Sequence, residues 1–220
     1  MTDATITSAT THGTPARVWP HATLTTLTAL AAGVVLGVLT NLAQGWLPGS
    51  WNQLANSGAV WSAAAFAAGA VFARRASLPA AAVAGLCAES GLVIGYYGYA
   101  EFGRDGMGGL AAPLVWLVMA FVAGPLFGVA GAWWRGSAAR SRCVIGLAAL
   151  AGVFGAEGLH YAWALHYAAQ AWACLAVFVS VPLLLARTHR ERALSLSAAV
   201  PLALVAYAAL YLGILDMVLG

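Results

Sequence analysis

Lysine is absent from the 220 residues, and charge of either sign is scarce: charged residues make 8% of the chain against 62% hydrophobic ones. Soluble domains carry about a quarter charged residues, and a chain of this size has too little interior to hide so much apolar surface. Disorder is excluded on the same ground, because disordered chains are poor in apolar residues. With a mean hydropathy of +0.83, the chain is expected in a lipid bilayer. Without lysine no Schiff base can form, which excludes retinal-type pigments and lysine aldolase chemistry. The ten basic residues are all Arg, too few and too dispersed for a nucleic-acid surface.

Cysteine is scarce as well. Cys87, Cys143 and Cys174 stand in apolar stretches without Cys-x-x-Cys spacing, which reads as small buried hydrophobes, with no disulfide and no zinc site. Gly-x-Ser-x-Gly, Walker and His-Glu-x-x-His motifs are missing. So is an Asp-Asp-x-x-Asp run to hold magnesium and diphosphate, and ionisation of a prenyl diphosphate is not expected. Residues 1–21 are Thr-rich and polar and read as a disordered N-terminal segment. They lack the charged start and short apolar core of a cleaved signal peptide.

What is present is a regular alternation. Apolar runs predict an all-α, seven-helix transmembrane domain over 22–220, with helices at 22–45, 56–73, 77–99, 110–133, 143–162, 166–186 and 195–218. Each is long enough to cross a hydrocarbon core of about 30 Å. Arg17, then Arg74 and Arg75, then Arg135, Arg140 and Arg142, then Arg187, Arg190 and Arg192 fall on alternate loops. Only Arg104, between Glu101 and Asp105, lies on the opposite side. The positive-inside rule therefore places the N-terminus in the cytoplasm and the C-terminus outside.

The chain also repeats. Val60-Trp61-x-x-x-Ala65-Phe66-x-Ala68-Gly69-x-x-Phe72 returns as Val115-Trp116-x-x-x-Ala120-Phe121-x-Ala123-Gly124-x-x-Phe127, and Trp172, Ala176 and Ser180 keep a faint echo. Ala84-Gly85 before Glu89 is matched by Ala151-Gly152 before Glu157. The architecture reads as one helix followed by three hairpins in the same orientation. Its Gly and Ala positions are expected to serve close helix packing.

Acids inside a membrane are costly and are functional candidates by default. There are three: Glu89, Glu157 and Asp216, on the third, fifth and seventh spans. No Arg within the spans can neutralise them. An unpaired carboxyl in apolar surroundings keeps its proton, so all three are expected as neutral acids facing one shared cavity.

All seven tyrosines map to the outer half of the spans, and so do Trp46, Trp51, Trp61, Trp116, Trp163 and Trp172. His160, His166, Asn41, Gln44, Asn52, Asn56 and Gln170 share that slab. An interface belt would account for part of this. It would not need Trp61, Trp116 and Trp172 one to two turns inside the spans. The pocket reading assigns Trp61, Tyr96, Tyr97, Trp116, His160, Tyr161, Trp172, Tyr207 and Tyr211 to the lining. Glu157 and His160 form one Glu-x-x-His pair. A di-iron site needs two such pairs and further carboxylates, so no metal is expected.

A dry pocket of Trp and Tyr with protonated carboxyls suits carbocation chemistry. A positioned acid can protonate an alkene, and aromatic faces stabilise the cation without trapping it. In size, in seven short helices and in acids on the third, fifth and seventh spans, the chain resembles the small integral-membrane terpene cyclases. These close the prenyl chains of meroterpenoids and, in bacteria, of indole sesquiterpenoids of the drimentine type. The resemblance covers spans two to seven in outline. It implies a cofactor-free, proton-initiated cyclase of isomerase or lyase type, acting on a prenyl chain such as farnesyl borne by a lipophilic acceptor. It also implies a multi-pass protein of a bacterial plasma membrane, with a lipid-borne partner and the oligomeric state open.

Two membrane carboxyls serve in protonation in that class, one in the first half and one in the last helix. Glu89 and Asp216 match by position. Glu157 is a third acid that the two-carboxyl pattern lacks, which leaves the donor open. The segment Asn41–Trp61, with Trp46-Leu-Pro-Gly-Ser-Trp51 and Asn56-Ser-Gly58, is similar to uncharacterised bacterial membrane proteins of this length. The competing reading is a small-molecule binding or transport subunit with an aromatic pocket open to the outside. A structural or assembly protein is the third; it would explain the repeat but not the acids.

Overall fold

The computed structural model describes residues 19–73 and 77–211. These form α1 (Trp19–Trp46), a 3-10 turn (Gly49–Trp51), α2 (Asn52–Ala55), α3 (Gly58–Phe72), α4 (Leu78–Gly103), α5 (Ala111–Gly136), α6 (Arg140–Trp163), α7 (Ala168–Leu185) and α8 (His189–Ala209). Among the described residues, seven spans are long and apolar enough to cross a bilayer. The second is a composite. α3 has 15 residues, about 22 Å, which is short of the hydrocarbon thickness. The 3-10 turn and α2 extend it, so the span runs Gly49–Phe72.

Several boundaries differ from the sequence expectation. α1 starts at Trp19, so residues 19–21 belong to a helix and not to the disordered segment 1–21. The uninterrupted helix expected over 56–73 starts at Gly58, because Ser57 is extended (φ −94°, ψ 128°) and caps α3 through its side chain. α4 and α5 run on to Gly103 and Gly136, past the ends at 99 and 133 expected from hydropathy. α8 begins at His189 instead of residue 195. There the Thr188 hydroxyl accepts from the Glu191 N–H while the Glu191 carboxylate accepts from the Thr188 N–H, a reciprocal capping box. Arg17, Arg74, Arg75 and Asp216 lie outside the described residues.

Packing divides the bundle into two groups. α4 packs against α1, α3 and α5, and α6 packs against α7 and α8. Contacts of α6 with α5 and α3 join the groups. Repeat glycines of α3 and α4 lie at close backbone approaches to α5. A Cβ on Gly69 of α3 would overlap the carbonyl of Gly128 on α5, and one on Gly85 of α4 would overlap the carbonyl of Gly124. Van der Waals contact between backbones, not the hydrophobic effect, holds helices together in lipid, so these contacts carry the association. α6 forms the interior, with Leu147, Ala148, Ala151 and Ala156 fully enclosed.

Candidate functional site

α5 and α8 both pack on α6, and a cleft of about 440 Å³ runs between them. Its floor includes Gly58, Ala59 and Ser62 of α3, Glu89 of α4, and Ala149 and Gly152 of α6. Its rims carry Val122, Leu126, Ile145 and Val205, all exposed on the outside of the bundle. The cleft therefore opens sideways, toward the face a bilayer would cover. Glu89 is 5% exposed, and its Oε2 has no hydrogen-bond partner among the described residues. An unpaired carboxyl in such surroundings is expensive to bury as an anion. Trp116 lines the same cleft, and Tyr211 lines the α8 side.

Glu157 stands in a different environment. Its Oε2 accepts from the Ser57 hydroxyl at 2.7 Å and from the Ala59 N–H at 2.8 Å, and its Oε1 accepts from the Tyr161 hydroxyl at 3.1 Å. The Ser57 Oγ in turn accepts from the Val60 N–H. Glu157 thus completes the N-terminal cap of α3 from another helix. Donors on both oxygens and a helix N-terminus suit a carboxylate. The two acids therefore differ in kind: Glu89 faces the cleft with an oxygen unpaired, whereas both oxygens of Glu157 are bonded.

A family match gives the chain a place among known sequences: a family of unknown function, DUF6518, matches residues 16–215. The chain belongs to this DUF6518 family. No curated protein and no solved structure matches it.

In this DUF6518 member the predicted aromatic residues separate into three groups. Trp61 is 1% exposed and lies behind the cleft, its ring 5.1 Å from Trp116 and 5.4 Å from Tyr96, with Tyr97 5.0 Å from Tyr96. Its indole N–H donates to the Ala55 carbonyl at 3.3 Å, which ties α2 to α3. Tyr96 also donates to Gln44, and Asn41 donates to the Tyr96 carbonyl, locking α1 to α4. At the end of α8, His160 stacks on Tyr211 at 4.1 Å, and Tyr207 lies 5.7 Å from Tyr211. Tyr161 serves Glu157. Trp172 is 69% exposed and lines a separate groove of about 490 Å³ between α6 and α7, with His166. That groove is similar in size to the cleft, but no buried ionisable group lines it, so the chemistry is sought in the cleft.

The single aromatic pocket expected for all nine residues is therefore not formed. Trp116 and Tyr211 line the cleft, the Trp61 cluster supports it, and Trp172 faces outward as a belt residue would. Sequence reasoning missed Ser62, Met119, Phe127 and Trp133 as cleft residues. Apolar and aromatic side chains carry no sign of which helix face they occupy. Glu191 was missed too, although Thr188-x-x-Glu191 is legible as a capping box. It is buried, and its Oε2 accepts from the Arg187 N–H at 3.0 Å.

Proposed function

We propose that the protein is a membrane-bound terpene cyclase that starts its reaction by protonation, with Glu89 as the acid. The observation that carries this reading is the buried, unpaired Glu89 carboxyl on the wall of an apolar cleft open toward lipid. A lipophilic prenylated molecule would enter from the bilayer. The Glu89 O–H adds its proton to the terminal double bond and leaves a tertiary cation. The π electrons of the next double bond form the ring bond and move the cation along the chain. The final cation loses a proton from a neighbouring carbon to the Glu89 carboxylate, which restores the acid. Substrate and product are isomers.

Each step has a physical support in the cleft. The apolar walls keep water from quenching the cation. The Trp116 ring offers a face worth about 2 kcal/mol to a desolvated cation. The cation itself stabilises the Glu89 carboxylate, because an ion pair attracts strongly in a low dielectric. By the distribution of Arg, the Glu89 end of the cleft is expected in the outer leaflet of a bacterial plasma membrane.

Membranes containing the protein, incubated with farnesylated indoles and quinones, should yield products of unchanged mass and new retention time. Membranes carrying Glu89→Gln should not. Saturable binding that survives Glu89→Gln, with no isomer formed from any substrate, would favour the binding or transport subunit instead, since an amide and a neutral acid present similar groups.

A further inference from the structure

We infer that the ligand lies along α5 with its polar head at Trp133 and its chain end at Glu89. The inference rests on the reading of the cleft as a prenyl site. α5 walls the cleft continuously from Val115 to Trp133. The position of Glu89 along that wall follows from the close approach of α4 to α5. Gly85 meets the Gly124 carbonyl, and Gly124 in turn lies against the Leu86 backbone. The two helices are antiparallel neighbours joined by a short connection, so Glu89, one turn beyond Gly85, is level with about Ala120.

Two limbs of unequal length follow. From that level to Trp133 the rise of α5 covers about 20 Å, and to Val115 about 8 Å. An isoprene unit advances about 5 Å when extended, so three units need about 15 Å. The long limb takes three to four units, with the ring head at its far end. The short limb holds one unit. A chain whose terminal double bond meets Glu89 therefore has its head on the Trp133 side.

The chemistry along the cleft agrees with this direction. The long limb is walled by Leu126, Phe127, Ala130, Ile145 and Ala149, all without polar side-chain atoms. At its end Trp133 carries an indole N–H with no partner among the described residues. Beyond it, the Arg187 guanidinium donates to the carbonyls of Trp134 at 3.1 Å and Arg135 at 3.3 Å, so cationic groups rim that end. An electron-rich aromatic ring is at home there, its π face turned to the Trp133 N–H and the cationic rim. The short limb ends on Trp116 and Tyr211, whose faces meet the cation as it forms.

Two unreactive photoprobes test the direction in the full-length protein in nanodiscs. One is a farnesyl indole with its terminal double bond saturated and a diazirine on the indole. The other carries the diazirine in place of the terminal double bond. Peptide mapping should find the chain-end probe on Glu89 or Met119 and the head probe between Phe127 and Trp133 or at Ile145. The reverse pattern would overturn the direction while leaving the cyclase reading intact. Labelling that excess unlabelled farnesyl indole does not compete would overturn both.

Discussion

Ser57 and Glu157 stand 100 residues apart in the chain and 2.7 Å apart in the structure, hydroxyl to carboxylate. The contact joins the start of α3 to the last third of α6, and with them the two groups of helices. It also separates the roles of two acids that look alike in sequence, since Glu157 holds a helix end and Glu89 faces a cleft.

Glu157→Gln puts an amide N–H₂ among groups that donate, so at least one buried donor loses its acceptor. Stability should fall by about 1–3 kcal/mol, and Ser57→Ala should cost about 1 kcal/mol. The double variant should cost less than the sum, because both changes remove one network. Reversible unfolding in mixed micelles measures all three. Normal stability of Glu157→Gln with product formation abolished would instead make Glu157 the acid.

Glu89→Gln keeps the shape of the side chain and removes the acidic proton. Product formation should fall about 100-fold or more, the usual contribution of a positioned acid. Thermal stability should stay near that of the parent, since Oε2 has no partner to lose. Turnover assays beside melting curves in detergent check the pair. Full turnover in this variant would end the protonation mechanism at Glu89.

Gly69→Ala places a methyl group against the Gly128 carbonyl and should force α3 and α5 apart. A loss of monodisperse protein on size exclusion is expected. Gly98→Ala on α4, whose added Cβ meets nothing within 4 Å, should be neutral or stabilising by about 0.5–1 kcal/mol. Equal behaviour of the two variants would mean that the backbone approach contributes nothing.

The Arg distribution predicts that residue 137 faces the cytoplasm and residue 105 the outside. In a background with Cys87, Cys143 and Cys174 replaced by Ala, a membrane-impermeant maleimide should label Asp105→Cys in intact cells and Ser137→Cys only after lysis. The opposite pattern would invert the bundle and put the Glu89 end of the cleft in the inner leaflet.

Chelation should leave the proposed activity unchanged. Among the described residues, no three side chains of His, Cys, Asp and Glu gather to hold an ion. Loss of product in EDTA, restored by iron or magnesium, would require a different mechanism.

Much of the fold was legible because the bilayer imposes one strong rule, that a spanning segment satisfies its own backbone over a fixed thickness. The helix of α6 follows from that rule. The break at Ser57 was harder to read, since a small polar residue ahead of an apolar run is compatible with continuing the helix. The start of α8 was readable in principle from Thr188 and Glu191, but hydropathy discounts a first turn rich in charge. The aromatic slab was located by depth and not by direction. Trp61, Trp116 and Trp172 occupy similar positions along their helices, yet one is enclosed, one lines the cleft and one faces outward.

The amino-acid sequence by itself determined that the chain is a seven-span helical membrane protein with a short list of costly acids, because composition and period act locally along each helix. Tertiary structure alone decided what each acid does. Whether a carboxyl meets donors or an apolar cleft depends on which helix lies opposite, and that is set by backbone contacts such as Gly69 with Gly128. Ser57 reached Glu157 and nothing comparable reached Glu89, a difference made by packing between segments far apart in the chain.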